Sequence, residues 1–392
     1  MDKRVDVFIS GGGIAGLTAA VALRRLGLSV TLADPAPPAT EQNAQGSDLR
    51  STAFLQPARN LLEDFGIWPD FADVAVPLEA LRVVDLSGDP PAVKTDRIFQ
   101  SSDLGEAPFA WNLPNWLVRQ RLCKIEPDLD IRFEVGFQSM LRRDRAVLVR
   151  LTDGSTLRAG LVLAADGVAS PVRVEAGIEV DRWRYGQKAM AFVAAHELPH
   201  QNVSTELYHS GGAFTLVPLP DQNGNPASAV VWMNDGPRAL ELKAMSDEDL
   251  GEEATKRSAS ILGDLQVSSP VRMWPVVTQR AKRMVAKRVA LMAEAAHVLP
   301  PIGAQGLNTS LADVRVLIDL VQEGVEPGSE AFLGRYAKRR ESDIATRARV
   351  VDLYNRVCRS GEPPVQALRS LGLSLVHDIS PLRQAVMRAG MG

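Results

Sequence analysis

The chain opens on a short β-rich apolar run, Val5-Asp6-Val7-Phe8-Ile9-Ser10, that ends in three consecutive glycines. Apolar residues then recur at helical spacing from Ile14 to Leu26 until Gly27 stops the pattern, so strand, tight turn and helix follow directly. Leu28 to Ala33 predicts a second strand ending at Asp34, after which Pro35, Pro37 and Pro38 force an irregular exit. Together these make one βαβ unit. Ala146 to Leu163 has the pattern of a hairpin about Asp153-Gly154 feeding an apolar strand, Leu161 to Ala165, which ends at Asp166-Gly167. From about Gln187 to Val277, strand patterns at Ala189–Ala194, Ala213–Leu219 and Ala227–Met233 alternate with Pro, Asn and Gly turns and predict a separate β-sheet domain. From Leu311 onward, apolar spacing of three and four, broken at Pro327, Pro363-Pro364 and Pro381, predicts a series of helices.

Composition narrows the class. A length of 392 residues exceeds one ordinary core and suggests two or three domains, while 45% hydrophobic and 23% charged residues exclude a mainly disordered or fibrous chain. The net charge of −3 gives no global reason to expect a nucleic-acid partner. The charge is uneven, however: Ala331 to Gly392 holds eleven Lys/Arg against five Asp/Glu, a basic C-terminal module. Cys123 and Cys358 are too far apart for a CxxC redox pair or a local zinc knuckle, and a reducing cytoplasm is the expectation. The start lacks a signal peptide's apolar stretch, and no window reaches the roughly 20 apolar residues of a membrane span.

The chemistry begins at Gly11-Gly12-Gly13-Ile14-Ala15-Gly16, which fits G-x-G-x-x-G in the required strand-to-helix context. Gly11 allows the tight turn, Gly13 admits a pyrophosphate to the backbone, and Gly16 packs helix on strand; Ile14 and Ala15 open the helix whose N-terminus faces the phosphates. Asp34, at the end of the second strand, is placed to accept hydrogen bonds from an unphosphorylated ribose. This alone does not separate NAD from FAD. No histidine stands at metal-ligand spacing, so no metal is assigned.

Two further stretches carry a resemblance. Leu163-Ala164-Ala165-Asp166-Gly167 through Arg173 resembles the D-G motif of the aromatic-ring flavoprotein hydroxylases, the class of p-hydroxybenzoate hydroxylase. Arg288 to His297 and Pro300-Pro301-Ile302-Gly303-Ala304-Gln305-Gly306-Leu307-Asn308 resemble its second flavin motif, usually G-D-A-A-H followed by P-x-x-G-Q-G-x-N. Within that class the likeness is to the ubiquinone-biosynthesis hydroxylases, through Asp48 to Ala53, Phe65-Gly66-Ile67-Trp68, Tyr336 to Asp343 and the closing Met391-Gly392. Ala293-Glu294 stands where the family has Gly-Asp, and Gly303-Ala304 where it has a small residue then Gly. An alanine needing positive φ is strained by roughly 1 kcal/mol unless Gly303 takes that conformation instead.

The resemblance implies an α/β fold: a Rossmann-like FAD-binding domain (1–80, 105–186 and 278–330), an inserted β-sheet substrate domain (81–104 and 187–277) and a helical basic C-terminal region (331–392). It implies an FAD-dependent monooxygenase that hydroxylates the ring of a polyprenylated phenol through a flavin C4a-hydroperoxide, with O₂ and with electrons from NAD(P)H or a protein donor. The glycine turn and Asp34 would hold the ADP half, Arg50 and Arg119 the middle, and Asp166 would lie near the shared flavin and nicotinamide path. Glu294 would bind the ribityl chain, with Pro301 in the late loop and Gly306, Leu307 and Asn308 just before a helix expected near Ser310, facing the flavin N1 and C2 carbonyl. His297 is expected to pack beside that loop rather than act as a base. Phe214, Pro218, Trp232 and Pro301 are the candidate substrate contacts. The flavin halogenases' G-W-x-W-x-I-P motif is not matched at Trp111 to Trp116. Implied partners are the polyprenyl phenol, other quinone-biosynthesis proteins and an anionic membrane surface met peripherally on its inner face by the basic tail. Two alternatives stand beside this: a non-catalytic scaffold of a quinone-biosynthesis complex, and a hydroxylase of a small soluble phenol.

Overall fold

In the computed structural model, which describes residues 3–42, 44, 47–88, 91–105 and 107–391, the opening strand Lys3–Ser10 lies between two parallel neighbours. Val30–Asp34 pairs along one side and Thr156–Ala164 along the other, so that Val7 faces both Val30 and Leu161 across the ladder. A strand paired on both sides within a helix-covered parallel sheet is apolar without alternation, and Val7, Phe8 and Ile9 are all fully buried. Asp130–Phe133 and Val289–Leu291 extend the sheet in parallel, and the Asp153-Gly154 turn joins Val147–Leu151 to Thr156–Ala164 as an antiparallel pair. Met1, Asp2 and Gly392, the last of these closing the Met391-Gly392 match, lie outside the described residues.

The turn between the first strand and the Ile14–Arg25 helix permits no side chains at two points. Gly11 has φ +107°, and a Cβ there would stand 2.3 Å from the Ala165 carbonyl oxygen. A Cβ on Gly16 would stand 2.1 Å from the Gly11 carbonyl oxygen, backbone against backbone, which is why helix and strand approach so closely.

The second sheet is antiparallel for most of its width. Arg272–Ala281, Val180–His196, Asn225–Asp235, Ala213–Gln222 and Val203–Tyr208 lie side by side, and Ala80–Ser87 with Ala92–Gln100 completes it through a parallel pairing, Val203 opposite Ala80. The expected edges at 187 and 277 fall inside the long strands Val180–His196 and Arg272–Ala281, so the sheet continues unbroken past both. Two helices the strand-rich pattern did not announce, Gly236–Ala244 and Asp247–Arg257, cover one face, with Leu242, Leu250 and Ala254 packed against Phe192, Phe214 and Trp232.

The C-terminal helices are Gln305–Gln322, Glu330–Arg359, Pro363–Asp378 and Ser380–Met391, broken where the prolines stand. The first begins earlier than Ser310, so Gly306, Leu307 and Asn308 form its first turn rather than a loop before it. The tail is also no mere solvated face. Tyr336, Arg340 and Ile344 are buried against the first sheet's core, and Arg369 reaches Asp85 of the second sheet, Nε to Oδ1 2.8 Å.

Candidate functional site

One continuous cavity of about 1570 Å³ runs from the glycine turn to the inner face of the second sheet and under the C-terminal helices. Two helix N-termini face it. The Ile14–Arg25 helix starts at Gly13 with no capping side chain and no acidic residue in its first turn, and Gly13, Ile14, Ala15 and Gly16 line the cavity. The Gln305–Gln322 helix starts at Ala304 in the same uncapped, acid-free way, with Gly303, Ala304, Gly306 and Leu307 on the lining. First-turn N–H groups without an internal partner carry the positive end of the helix dipole, so each end of the cavity favours negative charge.

Charged side chains are placed along the same wall. Arg50 lines the cavity, forks onto Asp48 with Nε–Oδ1 2.7 Å and Nη2–Oδ2 2.8 Å, and lies over the Trp274 ring at 5.3 Å. Burial pushes the Asp48 carboxyl upward, but bonding and charge from Arg50, with a hydrogen bond from Asn115, outweigh it and leave the pKa lowered. Arg50 also feels the charge of Glu294, whose side chain joins the lining together with Pro301. Arg119 reaches the cavity as well, but its guanidinium is committed: Nε donates to the Gly12 carbonyl at 2.7 Å, and Nη1 and Nη2 to those of Pro37 at 3.2 Å and Ala36 at 2.5 Å. It fastens the glycine turn to the irregular exit after Asp34.

Three expected side-chain contacts are absent from the cavity lining and are bonded to nearby backbone. Asp34 accepts from Gly12 N at 2.5 Å and Ala36 N at 2.8 Å, holding the turn from beneath. Asp166 accepts from the hydroxyls of Ser170 and Ser10 and from Val172 N, so it shapes the loop while Gly167 and Val168 line the cavity. Burial there raises its pKa despite those hydrogen bonds. Asn308 accepts from Leu55 N at 2.9 Å and donates to the Ala53 and Ala304 carbonyls at 2.8 and 2.7 Å, so its side chain ties the Ser51–Leu55 strand to the helix start.

Both departures from the family pattern adopt the strained conformation. Ala293 has φ +53°, Ala304 has φ +55°, and Gly303, at φ +60°, does not relieve Ala304 of it. Ala293 is held by its N–H donating to Asp313 Oδ2 at 2.8 Å. Asp313 is wholly buried, and it also takes His297 Nε2 at 2.7 Å and Arg340 Nε at 2.6 Å. His297 is therefore occupied in this cluster, packed beside the late loop as expected. Arg340 and Asp313 form the part of the site that motif reading missed, because one partner lies in the tail and the other within an apolar helix.

The substrate contacts expected on the second sheet need correction. Phe214 and Trp232 are buried edge-to-face, centroids 5.2 Å apart, in the core under the Gly236–Ala244 and Asp247–Arg257 helices, on the side away from the cavity. Pro218 shares the parity of Phe214 and is absent from the lining, its carbonyl accepting from Asn112 Nδ2 at 2.8 Å. In a strand, residues one apart point to opposite faces, so the lining falls to Thr215, Val217 and Val231. Pro301 keeps its place. Val83, Trp274, Glu206 and Tyr208 join the lining, and Val365, Leu368, Leu373 and Met387 of the last two helices close over it. Among the described residues no group of side chains could hold a metal ion.

Comparison with known proteins agrees with this geometry. Residues 4–350 match the family described as FAD binding domain. The chain is 32% identical over 398 aligned residues to the ubiquinone hydroxylase UbiL of Rhodospirillum rubrum, covering 100% of this chain and 90% of that one. It is 27% identical to the 3-demethoxyubiquinol 3-hydroxylase of Escherichia coli, covering 100% and 99%. The crystal structure of a p-nitrophenol 4-monooxygenase from Pseudomonas putida matches with TM-score 0.82 at 19% identity, covering 100% and 99%, a likeness of fold.

Proposed function

The chain belongs to the FAD-binding-domain family, and from that premise we propose that it hydroxylates the aromatic ring of a polyprenylated phenol in ubiquinone biosynthesis. It is an FAD-dependent aromatic monooxygenase that uses O₂. Bound FAD supplies the oxygen chemistry, and NAD(P)H or a protein donor supplies the electrons. The chain binds, orients and excludes water.

The residues fit the cofactor. The uncapped start of the Ile14–Arg25 helix, with Gly11, Gly13 and Gly16 removing side chains from the turn, receives the pyrophosphate; Asp34, whose carboxylate oxygens retain free lone pairs, takes the ribose. Arg50 and Arg119 flank the middle, and Glu294 takes the ribityl hydroxyls. The N–H groups of Gly306 and Leu307 face the charge that develops on the reduced ring, while that of Gln305 donates to the Ile302 carbonyl at 3.4 Å. Asp166 and Asn308 act from behind, by fixing backbone.

The observation that carries this reading is the continuity of the cavity, which joins two uncapped helix N-termini to an apolar chamber roofed by the C-terminal helices. A prenyl chain suits that roof. Leu368, Leu371 and Leu375 are 69%, 58% and 50% exposed on one helix, and Ile379 and Val386 beyond them are exposed too, while Leu368 also lines the cavity. No helix among the described residues is long and apolar enough to cross a membrane. We read the leucine stripe, with Arg388 on the following helix, as a peripheral contact with an anionic inner surface that delivers the substrate. Arg340 and Arg369 do not contribute to it, since both are buried in ion pairs.

The test is the visible absorption of purified protein before and after FAD is added and unbound FAD removed by gel filtration. A retained oxidised-flavin spectrum is expected; a folded, colourless protein that refuses FAD would make the chain a scaffold instead. Accumulation of a prenylated, under-hydroxylated quinone precursor in a deletion strain is expected, and its absence would point to a small soluble phenol. Sedimentation with anionic vesicles tests the surface contact; no binding at low salt would remove it.

A further inference from the structure

Strand Val203–Tyr208 and its parallel neighbour Ala80–Ser87 turn alternate residues to the cavity: Ser204, Glu206 and Tyr208 from one, Leu81, Val83 and Asp85 from the other. Their register sets Glu206 opposite Val83 and Tyr208 opposite Asp85, so two acids lie on one diagonal of the cavity face. Both are buried, Glu206 at 7% exposure and Asp85 at 1%. The Tyr208 hydroxyl donates to Glu206 Oε2, and among the described residues no Lys, Arg or His pairs with that carboxyl. Asp85 Oδ1 takes Arg369 Nε at 2.8 Å, while Oδ2 has no hydrogen-bond partner. The backbone of Gly303 stands beside Glu206, so the carboxyl lies where the second sheet meets the flavin-facing loop.

Positive charge on the lining is spent or distant. Arg369 is held by Asp85, and its Nη1 also reaches the Cys358 carbonyl at 3.3 Å. Arg119 is fastened to the glycine turn. Arg182 and Arg184 belong to strand Val180–His196, three strands across the sheet and roughly 14 Å away, and Arg50 lies over Trp274 on the strand beyond that one. Tyr354 and Cys358 of the Glu330–Arg359 helix also face Glu206, and neither is a cation. Around these groups Leu81, Val83, Val217 and Val231 make the wall apolar, and burial pushes the Glu206 pKa up. A glutamine would fill the same space and accept the same hydroxyl without a charge, so packing gives no reason for an acid at this point.

We propose that Glu206, with the unpartnered Asp85 Oδ2 on its diagonal, is a charge filter that admits a neutral ring to the flavin-facing chamber and rejects a ring bearing a carboxylate. The inference rests on the hydroxylase reading above and adds to it the charge of the ring that the chamber accepts. A ring held between the second sheet and the Gly303 loop abuts the Glu206 carboxyl. An anionic substituent there meets a second anion in an apolar enclosure and finds no free cation to neutralise it. Two unit charges about 5 Å apart at an effective dielectric of about 20 repel enough to weaken binding about 10²-fold. Selection of this kind works by a built-in penalty against the wrong ligand rather than by an added contact to the right one.

The test measures the Kd of three probes for the FAD-loaded protein by equilibrium dialysis: a phenol with a short prenyl chain, the same phenol with a ring carboxylate, and its carboxamide, which has the carboxylate's shape without its charge. Wild type at pH 8 should bind the carboxylate about 10²-fold more weakly than the carboxamide. Glu206→Gln, compared at equal FAD loading, should narrow that gap at least tenfold. Equal binding of carboxylate and carboxamide by wild type overturns the inference, as does a gap that Glu206→Gln leaves unchanged. If Glu206→Gln does not fold, wild type decides through pH. The gap should narrow between pH 8 and pH 5, because a buried carboxyl with a raised pKa takes up its proton before an exposed acid does, and a constant gap overturns the inference. A wild type that retains FAD yet binds none of the three probes overturns the hydroxylase reading and this inference together.

Discussion

Arg340 Nε lies 2.6 Å from Asp313 Oδ1 with both side chains out of solvent, so the C-terminal region is bolted to the Gln305–Gln322 helix that follows the Gly303 loop. The same Asp313 carboxylate takes the Ala293 N–H and His297 Nε2, and Arg340 Nη2 reaches the Thr309 carbonyl at 3.1 Å. One buried anion therefore holds the Ala293 backbone before Glu294 and the His297 ring after it.

Removing one partner should be severe. Arg340→Met leaves Asp313 buried without its cation and is expected to cost about 3–5 kcal/mol of unfolding free energy. Urea unfolding of the two proteins, both FAD-loaded, measures it. A loss under about 1 kcal/mol would mean that water reaches Asp313.

Acid sensitivity should trace to the same carboxylate. Burial pushes the Asp313 pKa up, but the charges of His297 and Arg340 and the hydrogen bonds to it prevail, and it ends below its ordinary 3.8. A depressed folded-state pKa contributes stability that is fully present above the unfolded value and is lost as pH falls through the folded one. Wild-type stability should accordingly decline below about pH 4, and Asp313→Asn should start lower and show a flatter acid limb. Thermal unfolding from pH 7 down to pH 3 gives the comparison; parallel curves would assign acid sensitivity elsewhere.

The two faces of the second sheet should respond oppositely. Phe214→Ala removes a fully buried ring and is expected to cost about 3–5 kcal/mol while leaving KM for the phenol within about twofold in the protein that remains folded. Val217→Trp, on the cavity face, should change stability by less than about 1.5 kcal/mol and raise KM about tenfold. Exchange of these two outcomes would mean the strand's faces are reversed.

Glycine content at the two helix starts offers a further check. Gly16→Ala sets a Cβ 2.1 Å from the Gly11 carbonyl oxygen, where neither backbone can yield, so the protein should lose FAD on gel filtration. Ala304→Gly releases a side chain held at φ +55° and should leave FAD bound while stabilising by up to about 1 kcal/mol. Destabilisation by Ala304→Gly would show that the methyl group packs favourably there.

The strand–turn–helix at Gly11 to Gly16 was legible because its constraints are local: three glycines, a short apolar run and an apolar helical period lie within 25 residues. The Asp153-Gly154 hairpin and the proline breaks of the tail were legible for the same reason. Parity on the second sheet was not. Both faces of that sheet are covered, one by the Gly236–Arg257 helices and the other by the cavity wall, so alternation along Ala213–Leu219 marks two faces without saying which is core. Large aromatics there invited assignment to a pocket, and packing assigned them to the core.

Charge misled in a parallel way. The tail's basic count read as surface, yet Arg340 and Arg369 are buried against Asp313 and Asp85, which lie 27 and 284 residues away in sequence. Glu206 left no local signal, since one acid on a strand looks like any solvated acid. Packing alone encloses it, 7% exposed on the cavity lining with the Tyr208 hydroxyl donating to it.

What the sequence by itself determined is the set of backbone features written within a few residues: the phosphate-ready turn, the Asp153-Gly154 hairpin and the proline breaks between the C-terminal helices. Their causes are steric exclusion, helix N–H groups and hydrophobic period, all of which act along the chain. Tertiary structure alone decided which side chains share an enclosed space: Asp313 with Arg340, Glu206 with the Gly303 loop, Val217 rather than Phe214 with the cavity. Those pairings exist only after two sheets and the terminal helices have closed on one another, because desolvation and ion pairing depend on neighbours that sequence distance does not specify.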